Sequence, residues 1–174
     1  MALLLLWYAH IAIRSSLTGH LVLSTLHTND APSAFNRLHD IGIPPYLIAA
    51  TMRLVIAQRL VRVLCDECKE EQEEDPAHIE LISQYCQDAK KWTYYHNTGC
   101  KHCNKTGFLG RTGIFEYLKV TQPIRELITA ETNETMLRQE AIRLGMEPLS
   151  QNGFMKVRKG ITTVDEVLHV AQDV

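Results

Sequence analysis

Ser16-Leu17-Thr18-Gly19-His20-Leu21-Val22-Leu23-Ser24-Thr25-Leu26-His27-Thr28-Asn29 holds a short, almost wholly apolar run, Leu21 to Leu26, closed by a polar turn. Such a run is what a strand buried on both faces of a parallel sheet shows. The polar residues His27 to Asp30 double as a helix start, because Ala31, Ala34, Phe35, Leu38 and Ile41 recur at helical spacing until Gly42 supplies a stop. Strand, polar turn and helix in that order predict an α/β fold. In open α/β sheets ligands sit beyond the carboxyl ends of the strands, where His27 is expected. On position alone two readings of His27 stand open: a ligand contact, or a histidine merely hydrogen-bonded at a strand end.

Downstream, Pro44-Pro45 opens a second apolar helix through Tyr46, Leu47, Ile48, Met52 and Val55, followed by the β-prone stretch Arg59 to Leu64. The chain changes character at Cys65. Its next part is acidic and polar, with Glu70-Glu71-Gln72-Glu73-Glu74-Asp75-Pro76 unable to form a core alone, and reads as an inserted module rather than sheet. Ile114 to Val120 resumes strand-like alternation, a return to the main sheet. Beyond Pro123 the pattern is helical. Gly160 closes one helix, and Thr163-Val164-Asp165-Glu166 predicts a capping box for the last.

The chain has 174 residues, 45% hydrophobic and 22% charged, with a formal net charge of -2. That suits one medium globular domain, or an incomplete large one with a satellite, and offers nucleic acid no general attraction. The apolar start, Ala2 to Ile13 with His10 interrupting, is shorter than the ~20 apolar residues of a membrane-spanning helix. Its flanks supply neither the basic stretch nor the small-residue cleavage site of a signal peptide. It reads as a buried strand or helix of the core.

Of the 5 cysteines, four form Cys65-Asp66-Glu67-Cys68 and Cys100-Lys101-His102-Cys103. Two such knuckles let four thiolates reach one ion from tight turns, the closed tetrahedral shell of a structural zinc site, with no position open for catalysis. Their separation, about thirty residues, exceeds the usual 15–20 of zinc ribbons. Iron in a rubredoxin-like role is the competing metal, and unrelated free cysteines the bland alternative. Cys86, His78, His96 and His102 are left out of the site. The pairing points to metal in a reducing compartment, hence to a cytosolic protein. Acidic residues outnumber lysines between Cys65 and Cys103, and four thiolates add negative charge, so nucleic acid is disfavoured as a partner.

The run Ser16 to Asn29 is similar to the histidine box of the secretion ATPases, whose members export proteins or build pili. Ala57-Gln58-Arg59-Leu60-Val61 before the first knuckle, and Gly110-Arg111-Thr112-Gly113-Ile114-Phe115-Glu116 after the second, resemble that type II secretion and type IV pilus assembly family in the same order. The resemblance covers Ile11 to the C-terminus. It implies the C-terminal part of a RecA-like ATPase domain: 1–10 an unmatched apolar start, 11–64 the later core with the histidine box, 65–110 a tetracysteine zinc insertion, 111–174 a return strand and helical region. It further implies that His20 and His27 lie near the nucleotide's terminal phosphate and Arg111 near its base side. Zinc, ATP and magnesium are the implied cofactors. The implied partners are other subunits of a homo-hexamer and a membrane platform, on the cytoplasmic face of the inner membrane.

The sequence contains no G-x-x-x-x-G-K-[ST] stretch to cradle phosphates. The acidic box expected just before Ile11 is missing too, since Met1 to His10 carries no carboxylate. The chain thus reads as a truncated copy, or a fragment with a foreign start, inactive as an ATPase alone. The rival from another class is a stand-alone zinc-stabilised interaction module.

Overall fold

The computed structural model describes residues 2–171, with side chains from residue 7 onward. The chain divides into two compact units, Met1–Ala57 with Glu116–Met146, and Gln58–Phe115 with Glu147–Val174. Two long strands, β1 (Leu54–Leu64) and β4 (Phe108–Lys119), are hydrogen-bonded neighbours and contribute to both.

The first unit is built mainly of helices: α1 (Ala2–Leu17), α2 (Ser33–Asp40), α3 (Pro45–Thr51), α5 (Gln122–Thr129) and α6 (Glu134–Arg143). Pro45 stands at the start of α3, where its missing N–H costs nothing. Asn133 caps α6 by accepting the Met136 N–H. Ile13, Phe35, Leu38, Ile43, Ile48, Leu118, Ile124, Ile128 and Leu137 form the buried core. The predicted stop after α2 is present: Gly42 takes a φ of 95°, a left-handed value favouring glycine.

Three expectations fail here. Residues 21–28 form no strand; they run extended, with Leu21 and Leu23 each 87% exposed. An apolar run becomes a strand only against a neighbouring backbone, and no described residue pairs with this one. The apolar start forms a helix, one of the two forms expected, but Trp7 and Tyr8 are exposed rather than core. The side chains of residues 3–6, part of the same expectation, lie outside those described. Val55 belongs to β1, because α3 already ends at Thr51 and Met52 turns extended.

The second unit holds the cysteine insertion. Within it β2 (Lys69–Glu71) pairs antiparallel with β3 (Tyr95–Asn97), Glu70 opposite His96. The insertion therefore contains a short ribbon where none was expected, two strands of this length being held by what surrounds them rather than by their own pattern. Between them lie α4 (Pro76–Tyr85), capped by Asp75, and a single 3-10 turn, Ala89–Lys91. Helices α7 (Leu149–Arg158) and α8 (Val164–Val170) complete the unit around buried Val61, Ile82, Ile114, Phe154, Val157 and Val167. The capping box forms only by half. Thr163 Oγ1 accepts the Glu166 N–H at 3.3 Å, but the Glu166 carboxylate turns to Arg62, accepting from its backbone N at 2.9 Å and its guanidinium at 2.6 and 2.9 Å. Two charge-assisted bonds and a strand amide outcompete one helix-end amide.

Candidate metal centre and histidine segment

Cys65 directly follows β1, its N–H donating to Gly107 O at 3.0 Å. The first knuckle turns tightly: the Cys68 and Lys69 N–H groups both return to Cys65 O, at 3.2 and 3.0 Å. The second uses left-handed Asn104 and Lys105, whose N–H groups return to Lys101 O and Cys100 O. Thr98 ties the knuckles together, donating to Cys68 O from both N and Oγ1. Gly107, φ 75°, admits no side chain: a Cβ there would lie 2.3 Å from Asn97 Cγ.

Those turns bring the sulfurs of Cys65, Cys68, Cys100 and Cys103 within 4.8 Å of one another. The separations Cys65–Cys100 and Cys68–Cys103 are 3.8 Å and Cys100–Cys103 is 3.7 Å. A tetrahedron with metal–sulfur bonds of about 2.3 Å has edges of about 3.8 Å, so the donor set has the dimensions zinc requires. Disulfides would need about 2.05 Å, and all four cysteines are free. Cys65, Cys68 and Cys103 are buried, and Cys100 partly so.

The electrostatics are uneven. Backbone N–H groups of Cys100 and Gly107 donate to Cys103 Sγ, each at 3.2 Å, and bring its pKa down to about 6 against the cost of burial. Burial, with the Cys103 thiol beside it, pushes Cys68 up to about 12, and burial raises Cys65. Cys103 is prepared as a thiolate while Cys65 and Cys68 resist ionising beside it. A divalent cation at the centre would hold all four as thiolates.

The remaining candidate ligands lie elsewhere. Cys86 ends α4 and is outside the cluster, His78 and His96 each approach the Glu74 carboxylate, at 2.9 and 3.3 Å, and exposed His102 faces Glu67 at 3.7 Å.

In the first unit His20 and His27 are exposed. Thr18 Oγ1 lies 3.1 Å from His20 Nδ1, and the His20 N–H donates to Ser15 O, which fastens His20 to the end of α1. The far end of the segment is held by a group the sequence reading did not single out. Asp30 and Arg138 pair at 2.6 Å, and Glu116 accepts the Ala31 N–H at 2.8 Å. The available signal was parity, since Glu116 shares the inward face of β4 with buried Ile114 and Leu118. In the second unit exposed Arg111 lines a shallow cleft with Leu60, Arg62, Glu166 and His169.

Residues 7–169 match the family model described as type II/IV secretion system protein. The chain belongs to that family. The type IV pilus assembly ATPase TfpB of Acinetobacter baylyi is 45% identical over 93% of this chain, and the type II secretion system ATPase E of Vibrio cholerae 45% over 95%. The chain spans only 28% and 32% of those two relatives. A crystal structure of the pilus retraction motor PilT with bound ADP covers 94% of this chain and 36% of that one at TM-score 0.59, and at 21% identity it bears on the fold alone. No described helix is long and apolar enough to cross a membrane.

Proposed function

We propose that the chain is the C-terminal portion of a secretion or pilus assembly ATPase, the later part of a RecA-like domain carrying a structural zinc module, which couples ATP binding and hydrolysis to protein export or pilus assembly. The observation that carries this is the family match over residues 7–169, a span that contains the histidine segment, both knuckles and Arg111. Cys65, Cys68, Cys100 and Cys103 hold zinc, which supplies folding free energy to an insertion too acidic to form a core alone. The whole protein assembles as a homo-hexamer on the cytoplasmic face of the inner membrane and docks on platform proteins of the secretion or pilus machinery.

In this reading the nucleotide with magnesium supplies the transferable phosphoryl group, and this chain contributes donors at its edge. His27 and His20, both exposed, are free to face the terminal phosphate, where a donor aimed at developing charge is worth most. Arg111 contacts the base side. The amide cradle, lysine and magnesium carboxylate that phosphoryl transfer also needs are not among these 174 residues. The test is phosphate release by a version extended with the family's phosphate loop and acidic boxes. His27→Ala should lower its turnover about 10²-fold. An extended enzyme indifferent to His27→Ala removes that residue's role.

A further inference from the structure

We propose that Glu116 and Arg138 are positioning residues that anchor the carboxyl end of the histidine segment and so fix where His27 stands. The inference rests on the reading of His27 as a nucleotide-facing group. Residues 21–28 make no backbone hydrogen bond to the rest of the described chain. Their placement is decided at their two ends. At the front, Gly19 N–H and His20 N–H return to Ser16 O and Ser15 O, at 3.0 and 3.1 Å. At the back stands a network of side chains from three elements.

Glu116 of β4 is fully buried, and its Oε1 accepts the Ala31 N–H at 2.8 Å. Arg138 of α6 donates from Nη2 to Asp30 Oδ2 at 2.6 Å and places Nη1 3.8 Å from Glu116 Oε2. The other Asp30 oxygen accepts the Ser33 N–H at 2.8 Å, at the start of α2. Glu134, one turn before Arg138, lies 3.9 Å from its guanidinium and accepts from Asn36 Nδ2 at 3.2 Å. One guanidinium thus faces three carboxylates, each also bound to residues 31–36. Burying a carboxylate is costly, and this one accepts the Ala31 N–H, four residues beyond His27. The arrangement spends buried charge to hold residues 30 and 31 in place. His27 stands three positions upstream of Asp30. Glu116 is also the last residue of the Gly110-Arg111-Thr112-Gly113-Ile114-Phe115-Glu116 stretch.

The test uses the zinc-loaded 15N-labelled chain. Amide exchange is measured at Ala31 and Ser33 and order parameters at His27 and Thr28, in the parent, Arg138→Ala and Arg138→Lys. Arg138→Ala should speed exchange at both amides about ten-fold or more and drop the His27 order parameter below about 0.6. Arg138→Lys, keeping a cation beside Asp30, should restore most of the protection, while amides around Cys103 stay unchanged in both. If Arg138→Ala does not fold, Glu116→Gln and Asp30→Asn, which preserve shape, carry the same expectation. A parent His27 already below about 0.6, unchanged exchange in the variants, or no recovery with lysine overturns the proposal. Nucleotide enters none of these readouts. A tightly held His27 that proves dispensable for turnover in the extended enzyme would remove the catalytic reading and leave the anchoring intact.

Discussion

The four sulfurs of Cys65, Cys68, Cys100 and Cys103 lie within 4.8 Å of one another, and Cys103 already accepts two backbone N–H groups at 3.2 Å, a donor set with the dimensions of a tetrahedral zinc site. Purified reduced protein should therefore contain one zinc per chain, measured by elemental mass spectrometry, and Cys100→Ser with Cys103→Ser should lose it. Full retention by that variant would contradict the assignment. Stripping zinc with a chelator should raise amide exchange chiefly between Cys65 and Gly110, since the metal supplies folding free energy there. The cysteine site was legible in the sequence because a C-x-x-C turn is a local object. Its N–H···S bonds were not, because Gly107 donates through a fold-back no spacing rule describes.

Glu166 carries a second residue-scale consequence. Burial alone would raise its pKa, but hydrogen bonds from the Arg62 guanidinium and backbone N–H outweigh burial and hold it below the usual carboxylate range. A carboxylate depressed in the folded state stabilises above its unfolded value, about 4.3, and that stability is lost as pH falls through the lower folded value. Urea midpoints should thus fall on acidification below about pH 4.3. Glu166→Gln should flatten that limb and cost about 1–3 kcal/mol at pH 7, because a charge-assisted pairing is lost at a buried site. An unchanged acid limb would place the titration elsewhere.

Among the elements, α7 is the clearest case of pattern becoming core. Leu149, Phe154 and Val157 face inward, with Phe154 fully buried and its ring 5.8 Å from that of Tyr85. Phe154→Ala should cost about 3–5 kcal/mol by chemical denaturation, because a large, fully buried ring is removed from the core. A loss below ~1 kcal/mol would mean that the α4–α7 contact is not part of the folded core. Helices were legible because periodicity, Pro at the first turn and Asn, Asp or Thr caps are written within each segment. The Leu21–Leu26 run was misread because a strand is a relation between two segments. Its apolar pattern states a capacity for pairing, whereas the described residues provide no ladder for it. The β2–β3 ribbon failed in the opposite sense, its acidic strand carrying no alternation that a pattern could report.

At the scale of the molecule, the first unit exposes Leu21 and Leu23 at 87% and Trp7 and Tyr8 above half. Apolar surface of this kind, along an extended segment with free backbone groups, favours association. Sedimentation velocity should show concentration-dependent self-association that Leu21→Ser with Leu23→Ser reduces. A sharply monodisperse monomer with cooperative unfolding would instead favour a self-sufficient fold and the interaction-module reading.

In the proposed reading, these residues are one part of a secretion ATPase whose phosphate chemistry depends on groups outside them. Phosphoryl transfer is catalysed by positioning and charge stabilisation, and removing a single such donor costs about 10²–10³ in rate. The sequence contains no G-x-x-x-x-G-K-[ST] stretch to cradle the phosphates. The direct measurement is phosphate release from ATP by the zinc-loaded chain alone, beside the chain extended by the family's upstream residues. The first should give background release and the second turnover. Robust turnover by the 174-residue chain itself, abolished by His27→Ala, would contradict that reading.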